Sequence, residues 1–530
     1  MSNSYHQGLR DLIAALERKG KLVRVSVPVT RETELMPLVR LQFRGLPEEE
    51  RKGFLFDNVV SVTGRKYDAS VAVACLAGSR EIYAIGLGCE VDEITEKWVQ
   101  AQLNPQKPVR VDAAPCQEEV HLGEELEEVG LDALPVPVNT PGFTGVIRTT
   151  ASHVVTKDIE TGTQNIGCYS GMLIDRNIIG LAIGPTHHGE IHWMKCQEKG
   201  VPMPAAIVVG APPSIAYASV ANIPYGTDEL DIAGGLQGAP VEVVRCRTVD
   251  LEVPAHAEIV IEGEVSVERK VGSASFGEYT GYMCIAAKKR FYYMKVTAIT
   301  HRKRPIHSVY LSQFPPSESS KSVQIGMEGS YYKHLRYDCN IPGILEVVWP
   351  ESGGGRQICI IRMKKWNPSE VWQALGAANA FCADNGKMYI AVDEDIDARD
   401  PDAVNWAMTF RMQPHRDMHV IRGRSAGLDY SAYRPGADRE EQRYPEGLGS
   451  SAVMIDATLK WPYPPTSLPK REYMERAQEL WNELKLGPLK LKSPWYGYNL
   501  GHWTKDDEEN AEFIVKGDYR AVGKKLLKIT

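Results

Sequence analysis

The sequence predicts a multidomain α/β protein, and three observations support this fold class. The chain has 530 residues, which is too long for a single hydrophobic core. Helix and strand patterns alternate near both ends, whereas closely spaced strand patterns fill the middle. We therefore expect an N-terminal α/β domain (1–110), a β-rich central domain (111–315), a C-terminal α/β domain (316–465) and a C-terminal helical extension (466–530).

The first segment opens with an amphipathic helix and continues into a strand. Apolar residues recur at i, i+3, i+4 and i+7 from Leu9, and Gly20 follows as a C-cap. Alternating valines then predict a half-buried strand that begins at Val23 and ends at Pro28. The acidic and then proline-rich stretch at 112–145 is typical of a linker or a wrapping arm.

Strand patterns separated by turn residues dominate the middle of the chain, as in a barrel or a compact sheet domain. The predicted central strands are 152–156, 172–174, 178–183, 206–209, 241–244, 258–264 and 291–300, with helices inserted at 187–200 and 212–221. After about residue 320 the patterns predict strands at 344–348, 357–363 and 388–392 and a helix at 368–383. A last helical stripe packs on its own core or on a partner subunit, and its members are Tyr473, Ala477, Leu480, Trp481 and Leu484.

Composition excludes several classes of protein. The chain is 43% hydrophobic and 24% charged, which is ordinary for a globular protein, and its formal net charge of −7 gives no nucleic-acid-binding footprint. Ten scattered cysteines without a Cys-x-x-Cys pair indicate reduced thiols. No signal peptide or membrane-spanning run is expected, so the sequence predicts a cytoplasmic protein with neither nucleic-acid nor membrane partners.

Three glycine-rich or acidic motifs are better explained by structure than by ligand binding. Gly86 and Gly88 form only a fragment of a dinucleotide fingerprint, which favours a plain turn. The SGGGR segment at 352–356 lacks the Lys-Ser/Thr of a P-loop, which favours a flexible connection. The acidic run at 393–397 has Ala398 where a calcium-binding loop needs Gly, which favours a solvated strand end.

A second group of residues offers ligands for a metal ion. Asn165, His188 and Glu229 supply an amide oxygen, an imidazole and a carboxylate, a mixed set suited to a divalent metal. His188 and His192 also have the i, i+4 spacing of a zinc site, but the intervening glutamate is one residue off the His-Glu-x-x-His pattern. That pair is therefore interpreted as a structural helix start, with a zinc hydrolase as the alternative.

Several blocks in order resemble the UbiD family of reversible decarboxylases. They are VPAHAEIVIEG at 253–263, FGEYTGY at 276–282, DARD at 397–400 leading to Arg411-Met412 and Asp417, GLGSS at 447–451, and IDAT at 455–458 before Trp461-Pro462. The resemblance implies an N-terminal α/β domain, a central split-β-barrel that binds flavin, and a C-terminal α/β domain with an oligomerising helix. It also implies prenylated FMN, a divalent metal (Mn²⁺, with Fe²⁺ or Mg²⁺ as alternatives) and K⁺ as cofactors, a flavin prenyltransferase as cofactor supplier, and a homo-oligomer, either dimer or hexamer.

The resemblance also implies roles for individual residues. Glu278, on a glycine-hinged turn, matches the acid that protonates the product carbon, the alternative being an exposed turn glutamate. Asn165, His188 and Glu229 match the residues that hold the metal and the flavin phosphate. The remaining predicted flavin-site residues are Cys168, Tyr169, Ser170, His187 and Ser219.

The chain departs from the family pattern at three positions. Ser170 stands where many members carry an Arg that grips the substrate carboxylate, and Ser273 stands where they carry its paired Glu. The family's Gly-Ser-Lys near the C-terminus, whose Lys approaches the flavin phosphate, appears here as Gly-Ser-Ser at 449–451, with a one-residue shift as the alternative alignment. The Arg and the Glu are expected to be lost together, because either charge alone, buried without its partner in a closed site, would destabilise the protein. The missing clamp predicts a substrate held or activated by another group, such as a thioester, a phosphate or a ring substituent. A phthaloyl-CoA-type substrate is one example.

The sequence therefore predicts a prenylated-FMN-dependent decarboxylase, or a carboxylase in reverse, that acts on an aromatic or conjugated acid or on its CoA thioester. One rival is a flavin-binding subunit of a multi-component carboxylase, which has no need of a proton donor at Glu278. The other rival is the zinc hydrolase at His188 and His192, against which the flavin-site residues argue.

Overall fold

The computed structural model describes residues 5–184, 187–284, 290–425, 428–432, 450–498 and 501–527, and in these ranges it is a mixed α/β protein. The chain forms three principal sheets, one after another along the sequence. The exception is the last strand of the first sheet, which follows the strands of the central sheet in the chain. Every strand pattern recognised in the sequence coincides with an observed strand, and all but one match it to within a few residues at the ends. The helices of eight or more residues are Leu9–Arg18, Leu35–Gly45, Arg80–Leu87, Ile94–Leu103, His188–Glu198, Glu229–Gln237, Glu318–Lys333, Ser369–Phe381, Pro401–Phe410, Arg471–Glu483, Lys505–Val515 and Tyr519–Leu526.

The first sheet has four strands and receives its last one from far along the chain. The strand Ile306–Val309 pairs in parallel with Ser70–Val73, although more than two hundred residues separate them. The helix Leu9–Arg18 packs its apolar face inward, and Gly20 follows it with a positive φ of 68°, as predicted. In spatial order the strands are Leu22–Val25, Gly53–Phe56, Ser70–Val73 and Ile306–Val309.

The central sheet has nine antiparallel strands and is the largest layer of the described chain. Its two longest strands, Ile259–Gly272 and Arg290–His301, pair with each other along most of their length. The first of them runs well beyond the predicted 258–264. In spatial order the path is Gln164–Cys168, Ser152–Lys157, Met203–Val209, Ile259–Gly272, Arg290–His301, Ile178–Leu181, Gly171–Asp175 and Arg148–Thr149, and Glu119–Leu122 pairs beside Arg290–His301.

One core joins the N-terminal helices to the central sheet. Tyr83 and Tyr217 stack with ring centroids 3.8 Å apart, and the Tyr217 hydroxyl donates to the Leu76 carbonyl over 2.8 Å. Trp98 and Val208 are buried in the same cluster. Gly86 and Gly88, predicted as a plain turn, lie at the end of the helix Arg80–Leu87, where Gly88 caps it with a φ of 65°. A Cβ at Gly86 would meet the Tyr217 hydroxyl, so the glycine allows this close packing.

The third sheet contains five strands and carries the acidic run at 393–397. In spatial order the strands are Ile344–Val348, Ile358–Met363, Met388–Asp393, Ser450–Asp456 and Met418–Arg424. The prediction that the acidic run is solvated is wrong. Asp393 ends its strand as expected, but both it and Asp395 pair with the buried Arg411, at 3.1 and 2.6 Å. The carboxylates thus neutralise a guanidinium that is only 1% exposed.

The helix Glu318–Lys333 is nearly enclosed and was not predicted from the sequence. Its Glu328 is 1% exposed and forms ion pairs with Arg80 of the N-terminal segment (2.6 Å) and Arg399 of the C-terminal segment (2.9 Å). Burial opposes ionisation of this carboxyl, yet the two guanidinium groups outweigh it and hold its pKa down at about 2. Glu328 therefore links the N-terminal and C-terminal segments through two ion pairs.

We expect Glu328→Gln to destabilise the protein by about 3–5 kcal/mol, because it leaves two largely buried guanidinium groups without their shared carboxylate. The depressed pKa stabilises the fold above the unfolded value near 4.5, and this contribution is lost as the pH falls toward about 2. Urea unfolding between pH 7 and pH 3 measures both effects. Glu346→Gln, which removes a part-exposed partner of Arg399, is the control and should cost less than about 1 kcal/mol. Equal losses for the two variants would contradict this account.

The C-terminal helices pack little against the rest of the described chain. None of the residues of Arg471–Glu483 is buried, and the predicted apolar stripe leaves Tyr473 44% and Leu484 67% exposed. The stripe therefore does not pack on the chain's own core. Within the described ranges, no helix has both the length and the apolar character that a membrane crossing requires.

Candidate functional site

The predicted cofactor residues converge around the buried ring of Tyr169. Its hydroxyl receives long hydrogen bonds of 3.4 Å from the Asn165 amide and from the backbone N–H of Gly189. The His187 ring stacks on the Tyr169 ring at a centroid distance of 4.8 Å. Tyr169 thus joins the strand Gln164–Cys168 to the start of the helix His188–Glu198, twenty positions further along the chain.

His188 and Glu229 face each other as the first residues of two helices. The distance from His188 Nδ1 to Glu229 Oε1 is 3.6 Å. The other oxygen of Glu229 accepts from the Ile166 N–H over 3.0 Å, directly beside Asn165. Because helix N-termini carry partial positive charge and unpaired N–H groups, this meeting point favours anions such as phosphate. The structure therefore brings the amide, imidazole and carboxylate predicted from the sequence into one neighbourhood.

Cys168 and Ser219 form the adjoining wall. The Cys168 N–H donates to the Ser219 carbonyl over 3.0 Å, and the Ser219 hydroxyl lies 2.7 Å from His153 Nδ1. Burial raises the pKa of the Cys168 thiol to about 12 and lowers that of His153 to about 3. Burial also raises the pKa of the Tyr169 phenol. These groups are thus uncharged at neutral pH, which suits a wall against an aromatic ring system.

Ser170 follows at the point where the strand pairing changes. Its carbonyl accepts from the Ala182 N–H over 3.0 Å, which ties it to the end of the strand Ile178–Leu181. The predicted counterpart of the phosphate lysine, at 449–451, lies partly outside the described residues: Gly449 is not described, and Ser450 and Ser451 begin the strand Ser450–Asp456.

The zinc alternative finds little support. His188 and His192 both contact the Tyr225 ring, so they do share a helix face. His192 is bonded to the Thr156 hydroxyl over 2.9 Å, however, and burial lowers its pKa to about 4. Across the described ranges, no group of three or more His, Cys, Asp or Glu side chains is placed to hold a metal ion. A metal here would need the Asn165 amide as a further ligand.

Glu278 lies on a tight turn between two short paired strands, Phe276–Gly277 and Met283–Cys284. The Gly281 N–H donates to the Glu278 carbonyl over 2.9 Å, and the Glu278 N–H donates to the Tyr282 carbonyl over 3.2 Å. The Glu278 side chain is 25% exposed. The turn therefore presents a part-exposed carboxyl group, as the sequence predicts for this glycine-hinged segment.

We expect Gly281→Ala to destabilise this turn by about 1–2 kcal/mol, the cost of a left-handed conformation for a residue with a Cβ. Gly281 has a φ of 86°, and an added Cβ would lie 2.7 Å from the Phe314 ring. Urea unfolding measures the loss. Gly272→Ala is the matched control, because its Cβ would meet nothing within 4 Å. If both substitutions are equally tolerated, the turn does not depend on this glycine.

Sequence reasoning missed Arg148, which contacts both Ser273 and the Glu278 turn. Its Nη2 donates to the Ser273 hydroxyl over 2.9 Å, and its Nη1 lies 3.9 Å from Glu278 Oε1. The Arg148 side chain is 4% exposed. No sequence signal could have found it, because 125 positions separate Arg148 from Ser273 and only the sheet brings them together.

The SGGGR segment also reaches this turn, so its interpretation as a flexible connection is wrong. Gly354 and Gly355 have positive φ angles of 63° and 68°. A Cβ at Gly354 would lie 2.8 Å from the Tyr279 ring and carbonyl oxygen, which shows how closely the segment packs. Arg356 lies over the Tyr279 ring at 5.5 Å. The C-terminal segment therefore contributes a second guanidinium to the neighbourhood of Glu278.

The comparisons with known proteins agree with this arrangement. Three models of the 3-octaprenyl-4-hydroxybenzoate carboxy-lyase family match the chain in order: the N-terminal domain at 13–102, the Rift-related domain at 107–313 and the C-terminal domain at 325–457. An uncharacterized protein of Archaeoglobus fulgidus is 28% identical over 501 residues, which cover 91% of this chain and 99% of the relative.

Two solved structures are similar to this chain in fold as well as in sequence. An evolved dimeric form of the UbiD-class enzyme HmfF from Pelotomaculum thermopropionicum, in complex with prFMN, has 28% identity and a TM-score of 0.75, covering 89% of this chain and 100% of its own. The apo 3,4-dihydroxybenzoic acid decarboxylase (AroY) of Klebsiella pneumoniae has 27% identity and a TM-score of 0.72, covering 89% of this chain and 99% of its own.

The fold and these matches define the class of the protein: it is a carboxy-lyase of the type that uses prenylated FMN. The chain belongs to the UbiD family. Its three-part α/β layout is that of the family, which confirms the fold class predicted from the sequence.

Proposed function

We propose that this protein is a reversible, non-oxidative decarboxylase of an aromatic or conjugated carboxylic acid, dependent on prenylated FMN and a divalent metal. The observation that carries the proposal is the meeting of Asn165, His188 and Glu229 at two helix starts, with Glu278 on a turn of the same domain. A merely structural flavin-binding subunit would not need the part-exposed carboxyl group.

The residues at the two helix starts fit a metal that neutralises the flavin phosphate. The Glu229 carboxylate is 6% exposed, and it contacts the Ile166 N–H and the His188 imidazole, neither of which is a fixed positive charge. A divalent cation would balance that buried charge and leave positions for phosphate oxygens. An oxygen and nitrogen ligand set suits Mn²⁺, with Fe²⁺ or Mg²⁺ as alternatives, and we include K⁺ as a second cation at the phosphate.

The reaction breaks the bond between the substrate carbon and its carboxylate. Carbon dioxide leaves, the electron pair remains on the carbon, and a proton must replace the lost group. Prenylated FMN supplies the electron sink when bound. Glu278 donates the proton to that carbon and is reprotonated from solvent, which its part exposure allows. In the carboxylation direction the same carboxylate removes the proton.

For the substrate, we propose an acid with an anchoring group beyond the reacting carboxylate. Ser170 and Ser273 are short and neutral, so neither can make the paired charged bonds of a conventional carboxylate clamp. A CoA thioester of the phthaloyl-CoA type provides such an anchor, because its phosphates can contribute binding energy far from the reacting carbon.

The test begins with protein co-expressed with a flavin prenyltransferase. We expect the absorbance spectrum and mass of the released cofactor to be those of prenylated FMN, and the holoenzyme to decarboxylate aromatic acids or to exchange product hydrogen with deuterium. Free acids and their CoA thioesters are assayed side by side. Efficient turnover of a free monocarboxylic acid with no thioester turnover would overturn the substrate proposal alone. A loaded protein that acts on no member of either panel would overturn the decarboxylase proposal.

We also propose a homo-oligomer, assembled in part through the exposed stripe of the helix Arg471–Glu483. Leu480 is 42% and Leu484 67% exposed, which is unusual for apolar residues on one helix face. Light scattering of the wild type and of the double variant Leu480→Ser/Leu484→Ser should show a dimer or hexamer that the variant weakens. A monomeric wild type would refute this assignment.

A further inference from the structure

Arg148 is a buried cation whose surroundings only partly satisfy it. Its guanidinium lies over the rings of Phe276 and Phe291, at 4.4 and 4.8 Å from their centroids. The side chain is 4% exposed. Burial lowers the pKa of Arg148, and the nearby Glu278 opposes that shift. A guanidinium stays protonated even so, and the site therefore contains a permanent positive charge.

The hydrogen bonds of Arg148 leave its charge under-compensated. Nη2 donates to the Ser273 hydroxyl, which in turn donates to the Ala274 carbonyl over 3.2 Å. The Nε–H has no hydrogen-bond partner among the described residues. The distance of 3.9 Å to Glu278 is too long for a hydrogen bond. Because a buried charge is costly unless a counter-charge contacts it, this geometry favours a second anion at the guanidinium.

The position of Arg148 in the sheet explains how it reaches this place. The strand Arg148–Thr149 pairs with Gly171–Asp175, and Arg148 stands opposite Met172. Ser170 is therefore at the beginning of the neighbouring strand, and Ser273 is the residue to which the guanidinium is bonded. Arg148 therefore places a positive charge next to Ser273 and on the strand that neighbours Ser170, the two positions where the family's charged residues are missing.

We propose that Arg148 binds the reacting carboxylate of the substrate, with Ser273 as its positioning residue. The proposal rests on the proposed function, because it takes the ligand to be an aromatic or conjugated carboxylic acid. A carboxylate that accepts a hydrogen bond from Nη1 lies beside Glu278, because Glu278 Oε1 is 3.9 Å from that nitrogen. Glu278 is the group that would give its proton to the carbon that loses carbon dioxide.

The experiment compares a carboxylate with its neutral isostere. Dissociation constants of benzoate and benzamide are measured by calorimetry on the flavin-loaded enzyme, for the wild type and for Arg148→Gln, Arg148→Lys and Arg148→Met. We expect the wild type to prefer benzoate, and Arg148→Gln and Arg148→Met to lose roughly tenfold to hundredfold of that preference while benzamide affinity changes little. Arg148→Lys should retain part of the preference. A merely structural role would weaken both ligands together.

Two further variants keep the test decisive if the Arg148 variants fold poorly. Ser273→Glu places a carboxylate on the guanidinium itself and should lower benzoate affinity roughly tenfold or more with no loss of charge or packing at Arg148. Arg176→Gln, an exposed arginine of the same domain paired with Asp132, is the control and should leave both dissociation constants unchanged.

Two results would overturn the assignment: a wild type that does not distinguish benzoate from benzamide, or an unchanged preference in both Arg148→Gln and Ser273→Glu. The outcome is separable from that of the proposed function. Decarboxylation with an Arg148-independent preference refutes only the role of Arg148. An Arg148-dependent preference in a protein without decarboxylase activity refutes only the reaction.

Discussion

Glu278→Gln should slow turnover of the holoenzyme at least about a hundredfold, the usual scale for the loss of a general acid. The amide cannot give up a proton as the carboxyl group does, although it has nearly the same size and keeps the turn intact. Cofactor content should be unchanged, because Glu278 is placed by its own turn and not by the helix starts that we propose hold the phosphate. Deuterium incorporation into product should fall in parallel with turnover.

The control for this variant is Glu268→Gln, an exposed glutamate of the same domain, which should leave turnover within about twofold. Glu278→Asp adds a second measurement, since it keeps the acid but withdraws it by one methylene. If Glu278→Gln retained near-normal turnover, the proton would come from another group and the catalytic assignment would be wrong.

Glu229→Ala should cost the protein both its metal and its flavin. The substitution removes the carboxylate that lies between His188 and the Ile166 N–H, so a cation beside the flavin phosphate would lose its charged ligand. Metal content by mass spectrometry and flavin content by absorbance of the purified protein measure the two losses. We expect each to fall at least about tenfold, the scale seen when a site loses a ligand or a partner of that ligand.

Two companion variants separate charge from structure. Glu229→Gln keeps an acceptor for the Ile166 N–H and removes only the charge, so it should lose the metal while remaining folded. Asp231→Asn removes a carboxylate from the same first helical turn, away from His188, and should retain both cofactors. Stoichiometric metal and flavin in Glu229→Ala would exclude this residue as a ligand.

Local patterns predicted most of the secondary structure because alternation and helical periodicity record which side of an element is buried. The helix Glu318–Lys333 escaped detection for the same reason. It is buried nearly all round yet rich in serine, glycine and charged residues, so it has no apolar stripe to detect. Its Glu328 is paired with Arg80, a distant residue that no local pattern contains.

In the candidate site too, the residues that belong to a recognised motif could be predicted, whereas those brought in by the tertiary fold could not. Motif resemblance located Asn165, His188 and Glu229, and the structure places them together. Arg148 could not be found in this way, because its segment carries no motif. The SGGGR motif that contains Arg356 was recognised, but nothing local indicated that it packs against the Glu278 turn. The acidic run at 393–397 was misjudged in the opposite way, because its charge predicted exposure to solvent. Asp393 and Asp395 instead pair with the distant Arg411, and Asp393 also pairs with Lys365.

The strand Ile306–Val309 completes the first sheet only after the whole central sheet has been made. While the chain leaves the ribosome, Ser70–Val73 must therefore wait as an unpaired sheet edge until about two hundred further residues have been synthesised. A fragment that ends near residue 110 would keep that edge permanently open and should self-associate, whereas a fragment that ends after residue 320 can close it. The N-terminal sheet therefore reaches its native strand order only when the chain has been synthesised beyond Val309.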